Sequence, residues 1–299
     1  MRIPEPGLGE LSSGFHRNFW PTLSAPVENP TLRVLSLGAG VQSTTLALAA
    51  ARGDIGPMPD CAIFADTGWE PRRVMQHLAW LRERLPFPVH VVSAGNIRDD
   101  IVAWRNTTSG RFAAVPWFTL SEDGGKGLGR RQCTKEYKIR PIGKKIRELL
   151  GVQRRHRVPK GVVVEQWIGI SMDEIERMKA SQDRHIVNRF PLIEANMNRR
   201  QCETWLAERQ FTAPKSSCLG CPFHSNAEWR NIRDNDPEGW ADVIAVDKAL
   251  REGGMNRNMR AQAFMHRSCL PLDQAPIDEP DNDGGIFGFK NECEGMCGV

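Results

Sequence analysis

Residues 36–45 read SLGAGVQSTT, between the apolar run LRVL (32–35) and the run LALAAA (46–51). Small residues at 38, 39 and 40, followed by Gln42, Ser43, Thr44 and Thr45, stand where a strand would turn into a helix. Such a stretch is either a tight connection or a cradle for phosphate. Glycine lets the backbone approach an anion, and a helix N-terminus offers unpaired N–H groups and a favourable dipole. Ser43 and Thr44 add hydroxyl donors. No Gly-Lys-Ser/Thr closes the turn and no G-x-G-x-x-G is present, which excludes the two commonest glycine-rich phosphate loops.

Working outward, strands are predicted at LRVLSL (32–37), CAIFA (61–65), FPVHVVSA (87–94) and VVVEQWIGI (162–170), and helices over 42–52, 70–84 and 139–150. Strands alternating with helices at this spacing predict βαβ units and a parallel sheet. Residues 99–131 break the rhythm, and the glycine-rich SEDGGKGLGRR (121–131) reads as a mobile surface loop. Beyond about residue 190 the pattern becomes helical, at 198–210, 226–235 and 237–252. The expected organisation is an irregular N-terminal arm (1–31), which carries FHRNFW (15–20), a nucleotide-binding domain (32–190) and a smaller helical cap (191–299).

An apolar fraction of 40% and a charged fraction of 25% over 299 residues describe a globular chain, not a disordered one. No run approaches the ~18 apolar residues of a membrane span and no apolar signal core opens the sequence, so a cytoplasmic location is expected. Net charge is only +4. Basic residues nevertheless crowd into 129–147 and 154–160, and Arg130, Arg131, Lys144, Lys145, Arg154 and Arg155 are expected to form a surface for a phosphate-bearing partner, as an alternative to a merely solvated helix face. Eight cysteines in a reducing compartment argue for metal or redox chemistry over a disulfide framework.

GAGVQST (38–44) resembles the pyrophosphate loop of the N-type ATP pyrophosphatases, usually S-G-G-x-D-S. FADTGWEP (64–71), RRQCTKEYKIRPI (130–142) and IGISMDEIERMKAS (168–181) resemble, in order, further elements of that superfamily's phosphoadenosine phosphosulfate reductase branch. The resemblance covers roughly residues 32–180 and implies a Rossmann-like α/β sandwich of the adenine nucleotide α-hydrolase type. It implies ATP with Mg²⁺ as ligands of Gly38, Ala39, Gly40, Gln42, Ser43, Thr44, Asp66 and Gly169. The sequence departs from the pattern at Gly38 and Ala39, at Gln42 in place of the acid, and at Ser171 where the reductases commonly carry arginine.

Asp66 ends a parallel strand, where open α/β sheets bind ligands; it is read as an adenosine or Mg²⁺ contact, or else as the N-cap of helix 70–84. Arg130, Arg131, Lys135 and Lys138 can neutralise charge on phosphate oxygens during nucleotidyl transfer. Asp173, Glu174 and Arg177 either order the loop after the last strand or pair along a short helix.

SSCLGCPFH (216–224) places Cys218 and Cys221 in C-x-x-C spacing, which lets two thiolates converge on one metal. With Cys133 and one of Cys293 and Cys297 they form the expected metal set, with His224 as a further ligand or a cap. Members of the resembled superfamily often carry a [4Fe–4S] cluster here, and zinc is the alternative. Cys61 and Cys202 are read as core residues, and Cys269 stays ambiguous.

The function expected is ATP-dependent sulfur transfer to a nucleic acid (tRNA or DNA), forming AMP and pyrophosphate, by an iron–sulfur enzyme of the pyrophosphate-loop type. A sulfur-donor protein such as a cysteine desulfurase and a second copy of the chain are the expected protein partners. The alternatives are an adenylyl-sulfate or phosphoadenylyl-sulfate reductase, and a regulator that binds nucleotide or cluster without catalysis.

Overall fold

The structure, a computed structural model, describes residues 24–104, 115–129, 131–254 and 261–280. Its centre is a parallel five-stranded sheet of β1 (Leu32–Leu37), β2 (Cys61–Asp66), β3 (Val89–Ser93), β6 (Val164–Ile168) and β7 (Ile186–Arg189), in the order β3-β2-β1-β6-β7. The order reverses at β1, which pairs with β2 on one side and β6 on the other. Ligands of such sheets bind beyond the carboxyl ends of the strands at this reversal. The Rossmann-like α/β class expected from the alternation is the fold found.

The central strands β1, β2 and β6 are buried along almost their whole length, the edge strands β3 and β7 are partly exposed, and helices pack on both faces of the sheet. Leu35, Leu37, Ala62, Phe64 and Trp167 point to one face, where α1 (Val41–Arg52), α2 (Arg72–Arg84) and α6 (Arg199–Ala207) close the core. Val34, Ile63, Val164 and Ile186 point to the other, under Ile142 and Ile146 of α4 (Arg140–Leu149). Helix α4 lies over β2 and β3.

The glycine-rich 121–131 segment departs from the expected loop. It closes a hairpin between β4 (Phe118–Ser121) and β5 (Lys126–Leu128), and β8 (Ala261–Phe264) adds antiparallel to β4 to complete a second sheet. The region after residue 190 is therefore not purely helical. Its helices α7 (Asn226–Asn235) and α8 (Pro237–Gly254) share a core with the first half of the chain. Trp229, Val243 and Val246 pack with Trp69, Tyr137 and the buried Ile97 and Ile101 of α3 (Ile97–Val102). A short α5 (Pro191–Glu194) links β7 to α6. Of the N-terminal arm, residues 24–31 are described; Ser24 donates to Glu194 and accepts from the Phe190 N–H. FHRNFW lies outside the described residues.

Candidate functional site

The loop between β1 and α1 turns in three residues. Ala39 takes a left-handed backbone (φ 56°), the position that glycine fills in the resembled motif. The N–H groups of Gly38 and Gly40 both point at Ser43 Oγ, at 3.2 Å each. The loop is thus a nest of converging donors at a helix N-terminus, held in shape by its own serine. Thr44 does not contribute its hydroxyl to this nest. Its Oγ1 lies 2.9 Å from His77 Nε2 on α2, and its N–H is used by Gly40 O. Burial lowers the His77 pKa to about 4, so the ring is neutral.

Gln42 faces the opposite way. Its side-chain amide donates to Ser171 Oγ and to Glu174 Oε2, both at 3.2 Å, while Oε1 is buried with no partner. Ser171 donates in turn to Asp173 Oδ1, which also accepts the Arg199 N–H. Glu174 pairs with Arg177. Burial pushes the Glu174 carboxyl above its ordinary range, against the pull of Arg177. The carboxylate missing from position 42 is therefore present in space, brought by the 3-10 turn (Met172–Arg177) that follows β6. Asp173, Glu174 and Arg177 order the loop beside α1 and do not merely pair among themselves. Gly169 acts by close approach: a side chain there would meet the Ser43 backbone N at 3.2 Å.

Asp66 is at the carboxyl end of β2, where its Oδ1 accepts the Gly68 N–H at 2.7 Å. It does not cap the following helix, whose N-cap is Pro71. Trp69, one residue beyond Gly68, accepts the Leu219 N–H on its carbonyl oxygen at 2.8 Å. Its ring lies so close to the Gly220 α-carbon that any side chain at 220 would collide with it. Leu219 and Gly220 are the two residues between Cys218 and Cys221. Neither Trp69 nor this docking was expected from sequence, although the glycine between the cysteines was a signal of close approach.

The cysteine turn also touches the phosphate loop. A side-chain carbon at Gly40 would lie 3.2 Å from Ser216 Cβ and collide with Ser216 Oγ. Cys218 and Cys221 are buried and joined by the Cys221 N–H donating to Cys218 O. His224 is not free to be a ligand. Its Nε2 lies 3.0 and 3.1 Å from the carbonyl oxygens of Cys218 and Leu219, and Nδ1 lies 3.3 Å from Ser217 Oγ. Complete burial lowers its pKa to about 3. A neutral ring with the proton on Nε2 braces both carbonyls and accepts from the serine.

Of the expected cations, Arg131 lies over the Phe223 ring at 5.7 Å, next to the cysteine turn. Lys135 is exposed, while Lys138 is buried in the π-helical turn (Thr134–Ile139) that leads into α4. Arg130, Cys293 and Cys297 lie outside the described residues. Cys133 packs beside the core that contains Leu219 and Trp69. Among the described residues no three His, Cys, Asp or Glu side chains converge on one metal position. Two buried thiols in one braced turn fit half of a four-thiolate set, the donor chemistry of either an iron–sulfur cluster or zinc. Burial pushes Cys61 up to about 11 and Cys202 up to about 12, which leaves both as neutral core thiols.

No family model matches the chain, and no curated protein matches it. Among solved structures, it is similar to a phosphoadenylyl-sulfate reductase from Candida auris in its phosphate complex, at 12% identity and a TM-score of 0.38, covering 65% of this chain and 78% of that one. It is also similar to the U34-tRNA thiolase NcsA from Methanococcus maripaludis with its [4Fe–4S] cluster, at 12% identity and a TM-score of 0.42, covering 92% and 83%. The fold assignment itself rests on the strand order and the parallel ladders. Among the described residues, no helix is long and apolar enough to cross a membrane.

Proposed function

We propose that the chain is an enzyme that uses ATP to exchange an oxygen of a nucleic acid for sulfur. The observation that carries this reading is the contact of Gly40 with Ser216, which sets the phosphate loop against the cysteine turn. A nucleotide site and a thiol site that share a wall suit a reaction in which activation and sulfur delivery occur at one atom.

A carbonyl oxygen of the acceptor attacks the α-phosphorus of ATP, and the bond to pyrophosphate breaks. A sulfur nucleophile then adds at the activated carbon, the carbon–oxygen bond breaks, and AMP leaves with the oxygen. Sulfur entering at the oxidation level of sulfide makes the exchange redox-neutral. The N–H groups of Gly38 and Gly40 hold the oxygens of the departing pyrophosphate, and Arg131, Lys135 and Arg177 offset the charge that develops on it. Asp66 takes the Mg²⁺ that arrives with ATP. Cys218 and Cys221 would supply two thiolates to a metal group, with Cys293 or Cys297 as a further ligand, and the group when bound would supply a Lewis-acidic position for the sulfur. The expected Cys133 does not converge with the two in this arrangement.

The test is to incubate anaerobically purified protein with labelled ATP and candidate RNA or DNA. Pyrophosphate release that requires the acceptor is expected. Sulfite release from adenylyl sulfate, with no acceptor-dependent pyrophosphate, would replace this reading with a sulfonucleotide reductase.

A further inference from the structure

The sheet face under α4 is only half covered. Helix α4 lies over β2 and β3, and beside it, toward β6 and β7, a cavity of about 740 Å³ is left open. Its floor carries Ile142 and Ile186 and two side-chain amides, Gln166 and Asn188. Gln166 donates to Ser36 Oγ at 2.7 Å, and Asn188 donates to Lys179 O at 3.0 Å. Each amide spends one of its two N–H groups on the protein, which leaves a carbonyl oxygen and a second N–H beside Ile142 and Ile186. That combination accepts a flat heterocycle bearing an exocyclic amine.

The walls are cationic. Arg140, Lys144, Arg154, Arg155 and Lys179 line the cavity, and among the described residues none of them has a carboxylate ion-pair partner. Some surface arginines elsewhere are matched, as in Arg72–Glu238, Arg98–Asp242 and Arg233–Asp278. Of the two acids in the lining, Glu148 is held by Lys145 at 2.7 Å, and Asp183 is the other. Lys144 lines the groove and Lys145 does not, in contrast to the joint Lys144–Lys145 surface expected from sequence.

The cavity also leads somewhere. A second cavity of about 390 Å³ shares Lys135, Ile139, Lys179 and Gln182 with it and extends to Arg131, Thr134 and Arg177. Arg177 pairs with Glu174, which holds Gln42 of the phosphate loop. Thr134 Oγ1 is buried at this junction with no partner.

We propose that this groove binds a single-stranded stretch of polynucleotide, with one base unstacked on the Ile142–Ile186 floor and its phosphates along α4, leading toward the phosphate loop. The inference rests on the nucleic-acid reading of the function and adds where, and in what form, the strand is held. An excess of cations over the acids Glu148 and Asp183, beside apolar side chains and two amides, matches unpaired nucleotides; a duplex would keep its base edges paired and out of reach.

Two variants test it. Lys144→Ala/Arg154→Ala/Arg155→Ala removes charge, and Gly143→Trp fills the groove without removing any, because a side chain at Gly143 meets nothing within 4 Å. Binding of fluorescent single-stranded RNA and DNA, and of a blunt duplex, is measured by anisotropy across salt without ATP. The wild type should prefer single strands. The triple variant should reduce the slope of log K against log salt by about 2, at roughly 0.7 per lost contact. Gly143→Trp should weaken single-strand binding on the order of tenfold at unchanged slope. Equal binding of duplex, or unchanged binding by folded Gly143→Trp, overturns the groove. If acceptor-dependent pyrophosphate release persists in that case, the function stands and only the groove is wrong. If single strands bind as described but ATP is never cleaved, the groove stands and the function is wrong.

Discussion

Gln42 and Glu174 are 132 residues apart in the chain and joined by a hydrogen bond of 3.2 Å from the amide to the carboxylate. The pair reconnects an acid to a phosphate loop whose own sequence lacks one. Gln42→Glu should place two carboxylates in buried contact and weaken both folding and nucleotide affinity, by about 1.5–3 kcal/mol for the lost charge-assisted bond. Gln42→Glu/Glu174→Gln should recover part of both, because it restores the amide–carboxylate bond while leaving Arg177 without its carboxylate. Urea midpoints and ATP affinity by calorimetry read the cycle. A double variant no better than the sum of Gln42→Glu and Glu174→Gln measured singly would mean that the contact has no role in holding the loop.

The Trp69 ring against Gly220 makes a second prediction. Gly220→Ala should cost about 1–3 kcal/mol through overpacking and should lower metal occupancy, since the collision lies between the two cysteines. Trp69→Leu/Gly220→Ala should regain much of that occupancy. Metal content of the purified proteins decides; full occupancy in Gly220→Ala would contradict the docked turn.

Metal identity is read by colour. Anaerobic protein should be brown, with broad absorption near ~400 nm, and Cys218→Ser should lose it. A colourless protein with stoichiometric zinc would favour zinc. Chelation should leave the parallel sheet folded, because its core contains neither Cys218 nor Cys221.

Acid should loosen the helix that carries the phosphate loop. His77 has its pKa lowered from 6.5 to about 4 by burial. As pH falls below 6.5 the unfolded chain takes up this proton first, so the stability His77 contributes is complete above that value and is lost on the way down through about 4. Urea midpoints should fall between about pH 7 and about pH 5, and less steeply in His77→Gln, which keeps a polar partner for Thr44 but does not titrate. Identical slopes would remove His77 as the source.

The alternation of strand and helix made four strands of the central sheet legible, while the edge strand β7, four residues long with Asn188 and Arg189 in it, was not expected. The hairpin and β8 were not legible. Each is three or four residues long, and β4 finds its partner at 261–264, so no local period records the pairing. The loop at 38–44 could be read as a phosphate cradle from its small residues. The acid that serves it could not, since Glu174 reaches Gln42 only through the fold. His224 illustrates the opposite case: its place after the cysteines suggested a ligand or a helix cap, whereas the structure uses both ring nitrogens as a brace for the cysteine turn.

The pairing of β4 with β8 also bears on how the chain can be cut and made. Phe118 and Thr119 lie opposite Phe264 and Ala263, and the core beneath mixes Ile97 and Ile101 with Val243 and Val246. A fragment ending near residue 190 would leave β4 as a bare edge above an uncovered apolar floor, the kind of surface that drives strand-to-strand aggregation. During synthesis the first half must wait, incompletely closed, until residues 261–264 emerge. Separately expressed halves should therefore be insoluble alone and recover when they are produced together.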